Sequence, residues 1–130
     1  GVQTCALPIL HRRSRRSAPW VQDRIVTVDV DSGERRTVGE GQGFTHIHTT
    51  ADGAYWVADC NRTADIFVGA VATGRYRRFC RSGATFGGAQ YTHPHPFFLA
   101  GDRMIGWNSD ETGVPHVYVA TIPDGFLESL

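Results

Sequence analysis

The chain has 130 residues, 41% hydrophobic and 20% charged, and its 13 basic and 13 acidic residues cancel. Four of the basic residues, Arg12, Arg13, Arg15 and Arg16, cluster near the start, so the rest of the chain holds nine basic residues against 13 acidic ones, a net charge of −4. A mildly acidic body of this size fits one globular domain or part of one and excludes a basic nucleic-acid-binding surface; no apolar run approaches the roughly 20 residues of a membrane-spanning helix.

Residues 1–9, Gly-Val-Gln-Thr-Cys-Ala-Leu-Pro-Ile, resemble the translation of a common short-read sequencing adapter and are set apart from the protein proper. Residues 10–19, which carry the arginine cluster, read as a doubtful junction, and the body begins at residue 20. Setting Cys5 aside leaves Cys60 and Cys80, too few for a disulfide framework or a thiolate zinc site and expected to be half-buried thiols.

From there short β-rich runs alternate with Gly, Asp-Gly and Pro punctuation. Residues 25–30 read as a strand, the turn 31–33 follows, and 35–38 return. A strand over 54–58 follows the turn Asp52-Gly53; 66–71 and 76–79 form a second hairpin around Thr73-Gly74; 103–107 and 117–122 complete the set. No stretch sustains a helical period, so the chain is predicted to be all-β. The pattern repeats. Residues 25–38 lie over 66–79 at an offset of 41, and 49–53 lie over 98–102 at an offset of 49, the difference falling in a Gly-rich insertion over 82–88. Antiparallel units recurring at about 40–50 residues are the signature of β-propeller blades. About two and a half units cannot close a ring, so the chain is expected to be a partial propeller, two to three blades of a larger one.

Five histidines lie in the body, four of them in two pairs, His46-Ile-His48 and His93-Pro-His95. On a strand, residues two apart share a face, so each pair can present two imidazoles together. Gln90 is three residues before His93, an odd spacing that a regular strand would send to the other face. It converges only from a loop or bulge, which Gly87-Gly88 permits. Pro94 and Pro96 each remove a ladder donor and place this pair at a strand end or an edge. Imidazole nitrogens with an amide oxygen suit a borderline divalent ion such as Mn²⁺, Fe²⁺, Ni²⁺ or Zn²⁺. The offset of 49 makes His46 the blade equivalent of His95 and favours it over His48 as a third imidazole. Ordinary surface or core histidines remain the bland alternative.

Of the remaining polar and aromatic positions, Asp59 and Asn108 align across the same offset and read as strand-terminal turn caps. Trp56 and Trp107 read as inter-blade packing, and Arg62 and Arg81 as solvated loop arginines.

The segment Gln90-Tyr-Thr-His-Pro-His-Pro96, the turn at 100–102, and the run Trp107-Asn-Ser-Asp-Glu-Thr-Gly113 with Pro115-His-Val-Tyr118 resemble the C-terminal blades of oligogalacturonate lyases, over about residues 20–130. The Gln-x-x-His-x-His-Pro core is specific; the Ser-Asp-x-x-Gly run is common to many propellers. The resemblance implies a seven-bladed propeller with Mn²⁺ held by three histidines and a glutamine, hence Gln90, His93 and His95 as ligands, with His46 fitting the third imidazole. His48, a local histidine, is a candidate substrate contact near the ion. It implies a cytoplasmic enzyme that cleaves short oligogalacturonides by β-elimination. The family's base, a histidine helped by an arginine, falls in earlier blades, so neither His48 nor His116 inherits that role and this chain by itself is expected to be inactive. Two other readings compete. One is a non-catalytic TolB-like propeller serving protein interaction. The other is a cupin, whose first motif 41–48 superficially resembles; the glutamate that motif needs is missing, and the blade repeat contradicts a cupin barrel.

Overall fold

The computed structural model describes residues 9–10 and 23–130. The predicted artefact, 1–9, and the junction with its arginine cluster, 10–19, lie outside the described residues except for Ile9 and Leu10. These form a two-residue strand, β1. The other strands are β2 (Asp23–Val28), β3 (Arg35–Gln42), β4 (Phe44–Thr49), β5 (Tyr55–Cys60), β6 (Asp65–Ala70), β7 (Tyr76–Arg81), β8 (Phe97–Leu99), β9 (Met104–Ser109) and β10 (His116–Thr121). They build three antiparallel sheets of successive neighbours: β1-β2-β3, β4-β5-β6-β7 and β8-β9-β10. The only helical segment among the described residues is a 3₁₀ turn, Gln90–Thr92. The fold is all-β, a run of propeller blades.

The two sequence offsets are offsets of hydrogen-bond register. Val26 pairs with Thr37 and Val28 with Arg35; adding 41 gives the pairs Phe67 with Arg78 and Gly69 with Tyr76. Even the irregularity recurs: the register shifts between Ile25–Gly39 and Val26–Thr37, and again between Ile66–Cys80 and Phe67–Arg78. Likewise Thr49 pairs with Trp56 and His48 with Val57, and adding 49 gives Phe98 with Ile105 and Phe97 with Gly106. Equivalent positions in sequence are therefore equivalent positions in a blade.

The middle sheet is covered on both faces, so β5 and β6 read as nearly continuous apolar runs. Alternation sorts their side chains. Trp56, Ala58, Cys60 and Phe67 pack with Ile25, Val38 and Phe44 toward the first sheet. Val57, Ile66 and Val68 pack with Phe98, Ile105, Trp107, Ile122 and Leu130 toward the third. Both indoles sit in these seams and reach back one blade: Trp56 Nε1 donates to Val38 O (3.2 Å) and Trp107 Nε1 to Ser82 O (3.1 Å). Inter-blade packing is thus what both tryptophans do. Cys60 departs from expectation: it is fully buried in the first seam. Cys80 is half-buried, and burial pushes its thiol up to about 11. The pattern over β4 and β8 had not marked either as a strand. β4 is largely polar from Thr45 to Thr49, and β8 is only three residues long, directly behind Pro94 and Pro96.

Candidate metal centre

The centre is built where β4 of the middle blade lies beside the segment that enters β8. In β4 the register slips between Phe44, opposite Cys60, and Ile47, opposite Ala58, so Thr45 and His46 together face the single residue Asp59. This bulge turns both toward one carboxylate. Asp59 Oδ1 accepts from the Thr45 hydroxyl and from the His46 backbone N–H (2.8 Å). Asp59 Oδ2 lies 2.8 Å from His46 Nδ1 and accepts from the His95 backbone N–H (3.3 Å). Burial raises the Asp59 carboxyl, but the hydrogen bonds from His46 and Thr45 outweigh it and hold the group below its ordinary value. Asp59 is fully buried and sits directly under the histidines. The turn-cap reading is corrected: this carboxylate caps no turn and reaches into the neighbouring blade. The signal available in the sequence was a lone acid in an otherwise apolar strand.

The second pair is not on a strand. Gln90 lies on the 3₁₀ turn, and β8 begins only at Phe97, after both prolines. Pro94 is buried, and its carbonyl accepts from Asn108 N–H (2.8 Å), anchoring the segment to β9. His95 adopts φ +44°, a left-handed conformation that costs a non-glycine residue about 1–2 kcal/mol. Upstream, Asp110 accepts from both the backbone N–H (2.8 Å) and the hydroxyl (2.6 Å) of Thr85, pinning the inserted loop to the end of β9. Phe86 packs on His93 with ring centroids 5.1 Å apart.

The three imidazoles His46, His93 and His95 converge: one nitrogen of each lies within 4.8 Å of the others. Ring centroids are 3.7 Å apart for His46 and His95, 5.4 Å for His46 and His93 and 5.9 Å for His93 and His95. The Gln90 amide nitrogen is 3.0 Å from His95 Nε2, so Gln90 does reach the cluster from off the strand. Burial, then the neighbouring His46, hold His95 below its ordinary value, a shift toward the neutral imidazole with one free ring nitrogen. Two observations fit a divalent cation. His93 Nδ1 is buried without a hydrogen-bond partner, and a buried polar nitrogen in that condition is costly. In addition, the donor set of three imidazoles and one amide suits a borderline ion.

His48 lies outside the cluster. Its Nδ1 accepts from Phe98 N–H (3.3 Å) and the side chain is exposed, so its proton belongs on Nε2. His116 is exposed on β10, the strand of its sheet farthest from β8. Arg81 is exposed at the end of β7.

No protein-family model matches the chain. It is 29% identical to the oligogalacturonate lyase of Dickeya dadantii over 119 residues, 77% of this chain and 31% of that one. It is also 29% identical to the oligogalacturonide lyase of Pectobacterium atrosepticum over 91 residues, 67% of this chain and 22% of that one. Among solved structures it is similar to an oligogalacturonate lyase in complex with manganese, with a TM-score of 0.68, 27% identity and 81% of this chain against 30% of that one. TolB from Acinetobacter baumannii shares the fold, with a TM-score of 0.63 and 17% identity. The chain spans less than a third of the length of these relatives. In sequence and in fold it is similar to oligogalacturonate lyases.

Proposed function

We propose that this chain is the metal-binding part of an oligogalacturonate lyase, which cleaves short oligogalacturonides by β-elimination at the glycosidic bond. One observation carries the reading: the convergence of His46, His93 and His95 with the Gln90 amide, in a relative of proteins that bear that name. These four residues would hold the ion, and Mn²⁺ is the choice that the manganese complex of a similar protein supports. When bound, such an ion supplies Lewis acidity, which polarises the C6 carboxylate of a galacturonate unit and makes its C5 proton removable.

The chain's own residues bind and orient. With Nδ1 engaged by Phe98, His48 presents an N–H donor beside the centre, suited to a uronate carboxylate or hydroxyl and unsuited to removing a proton. His116, out on β10, is no better placed. The likeness to oligogalacturonate lyases assigns the base and its helping arginine to earlier blades, outside residues 20–130, and on this reading the chain by itself is inactive. Cytoplasmic action on imported oligomers belongs to the same proposal.

The test compares wild type with His93→Ala in a protein carrying the complete ring. It reads bound manganese and the ultraviolet absorbance of the unsaturated product formed from digalacturonate. Loss of both in the variant is expected. Wild-type protein with neither metal nor product overturns the reading in favour of a non-catalytic interaction platform.

A further inference from the structure

We infer that Asp59 is the positioning residue of the centre: it sets which nitrogen of His46 carries the proton and fixes His46 against His95 across the blade seam. The inference rests on the metal reading above and adds to it a residue that is not itself a ligand.

Four donors point at this carboxylate. They are the backbone N–H groups of His46 and His95, the Thr45 hydroxyl and the His46 ring at Nδ1. An ionised carboxylate accepts all four, having two oxygens and no proton to place. Accepting from Nδ1 keeps the His46 proton there and leaves Nε2 as the bare nitrogen, the form in which an imidazole ligates. The same oxygen, Oδ2, takes the His95 N–H, so one atom meets ligand residues from two blades. His95 stands in a strained conformation that its surroundings must hold; the bond from its backbone to Asp59 is part of that hold. Asp59 is also singular in the repeat, because the equivalent position in the next blade is Asn108, whose neutral amide cannot accept from four donors.

Asp59→Asn is nearly isosteric and separates this role from packing. Its amide must turn an N–H either toward His46 Nδ1 or toward the His46 backbone N–H. The first drives the ring proton to Nε2; the second sets donor against donor. Two readouts in the protein with the complete ring decide the matter. Ring-nitrogen NMR of the metal-free wild type is expected to show His46 protonated at Nδ1, and the variant to show the proton on Nε2 or a mixture. Titration with Mn²⁺ alone is expected to give a dissociation constant about 10- to 100-fold higher in the variant. Wild-type His46 protonated at Nε2 overturns the inference, even if the variant fails to fold. So does a folded Asp59→Asn that binds Mn²⁺ as tightly as wild type. Wild-type protein that takes up no Mn²⁺ overturns the metal reading itself, a different result from either.

Discussion

His46 and His95 lie 49 residues apart, the offset that relates successive blades, yet they are held in opposite ways. His46 sits on β4, whose bulge delivers it to Asp59. His95 sits before its strand begins, in a left-handed conformation, between two prolines and behind an inserted loop. Like side chains at like positions converge here only because their surroundings differ, Asp59 beneath one blade where the next has Asn108. The middle blade keeps its ladder and changes one residue beneath it. The next blade gives up half of its inner strand and spends an insertion to bring Gln90 and His93 alongside. The difference shows where adaptability lies: the covered sheet can accept a buried acid only with its hydrogen bonds satisfied, whereas the segment ahead of β8 tolerates strain and prolines.

The comparison can be broken in four ways. If the two positions are equivalent as ligands, His46→Ala and His95→Ala each weaken Mn²⁺ binding by more than about 100-fold, beyond the loss expected for a residue that only supports a ligand. Calorimetric titration reads this, and one variant that still binds tightly would remove that residue from the centre. Next, the covered sheet should be the less forgiving. A Cβ on Gly69 would run into the indole of Trp56, whereas on Gly106 it would meet Phe97 Cζ at 2.9 Å and Leu99 Cδ1 at 3.0 Å, ends of side chains on the short β8. Gly69→Ala is expected to cost about 1–3 kcal/mol and Gly106→Ala less, measured by urea unfolding; the reverse order would contradict the contrast.

Smaller effects follow from backbone conformation. In metal-free protein, His46→Gly loosens a strand and strips the buried Asp59 of its ring donor, so it should destabilise by about 1–3 kcal/mol, whereas His95→Gly relieves a left-handed residue and should stabilise by about 1 kcal/mol. Thermal midpoints that move the same way for both would show that His95 is not strained. The smallest effect concerns acid. Hydrogen bonds from the Thr85 hydroxyl and backbone hold the Asp110 carboxyl below its ordinary value, and bonds from Ala54 N–H and the Thr50 hydroxyl do the same for Asp52 in the β4–β5 turn. A lowered carboxyl contributes stability that is complete above its ordinary value and is lost as pH falls through the lowered one. Amide exchange at Thr85 and Ala54, corrected for its intrinsic pH dependence, should therefore keep its protection at pH 6 and lose it only below about pH 4. Loss already at pH 6 would point to a different group.

Much of this was legible in the chain. The offsets of 41 and 49 were visible as turn and strand patterns, and they hold down to the hydrogen-bond register because a blade's geometry repeats with its residues. Gln90 could be placed off the strand from parity alone. Asp59 could not be placed, since its partners depend on a bulge at Thr45 and His46 and on a backbone N–H 36 residues downstream. The left-handed His95 was equally hidden: nothing local asks for it, and the bonds that flank it, Asn108 N–H to the Pro94 carbonyl and His95 N–H to Asp59, come from residues distant in sequence. The inner strands β4 and β8 escaped notice for a related reason, as strand patterns are written by covered faces and these are only partly covered.

The two indole bonds have a consequence for how such a chain assembles. In each, the donor lies in the later blade and the acceptor carbonyl in the earlier one: Trp56 to Val38, Trp107 to Ser82. A chain emerging from the ribosome, N-terminus first, therefore presents each docking acceptor before the tryptophan that will seek it. The polarity of these bonds suits a blade that docks onto one already made.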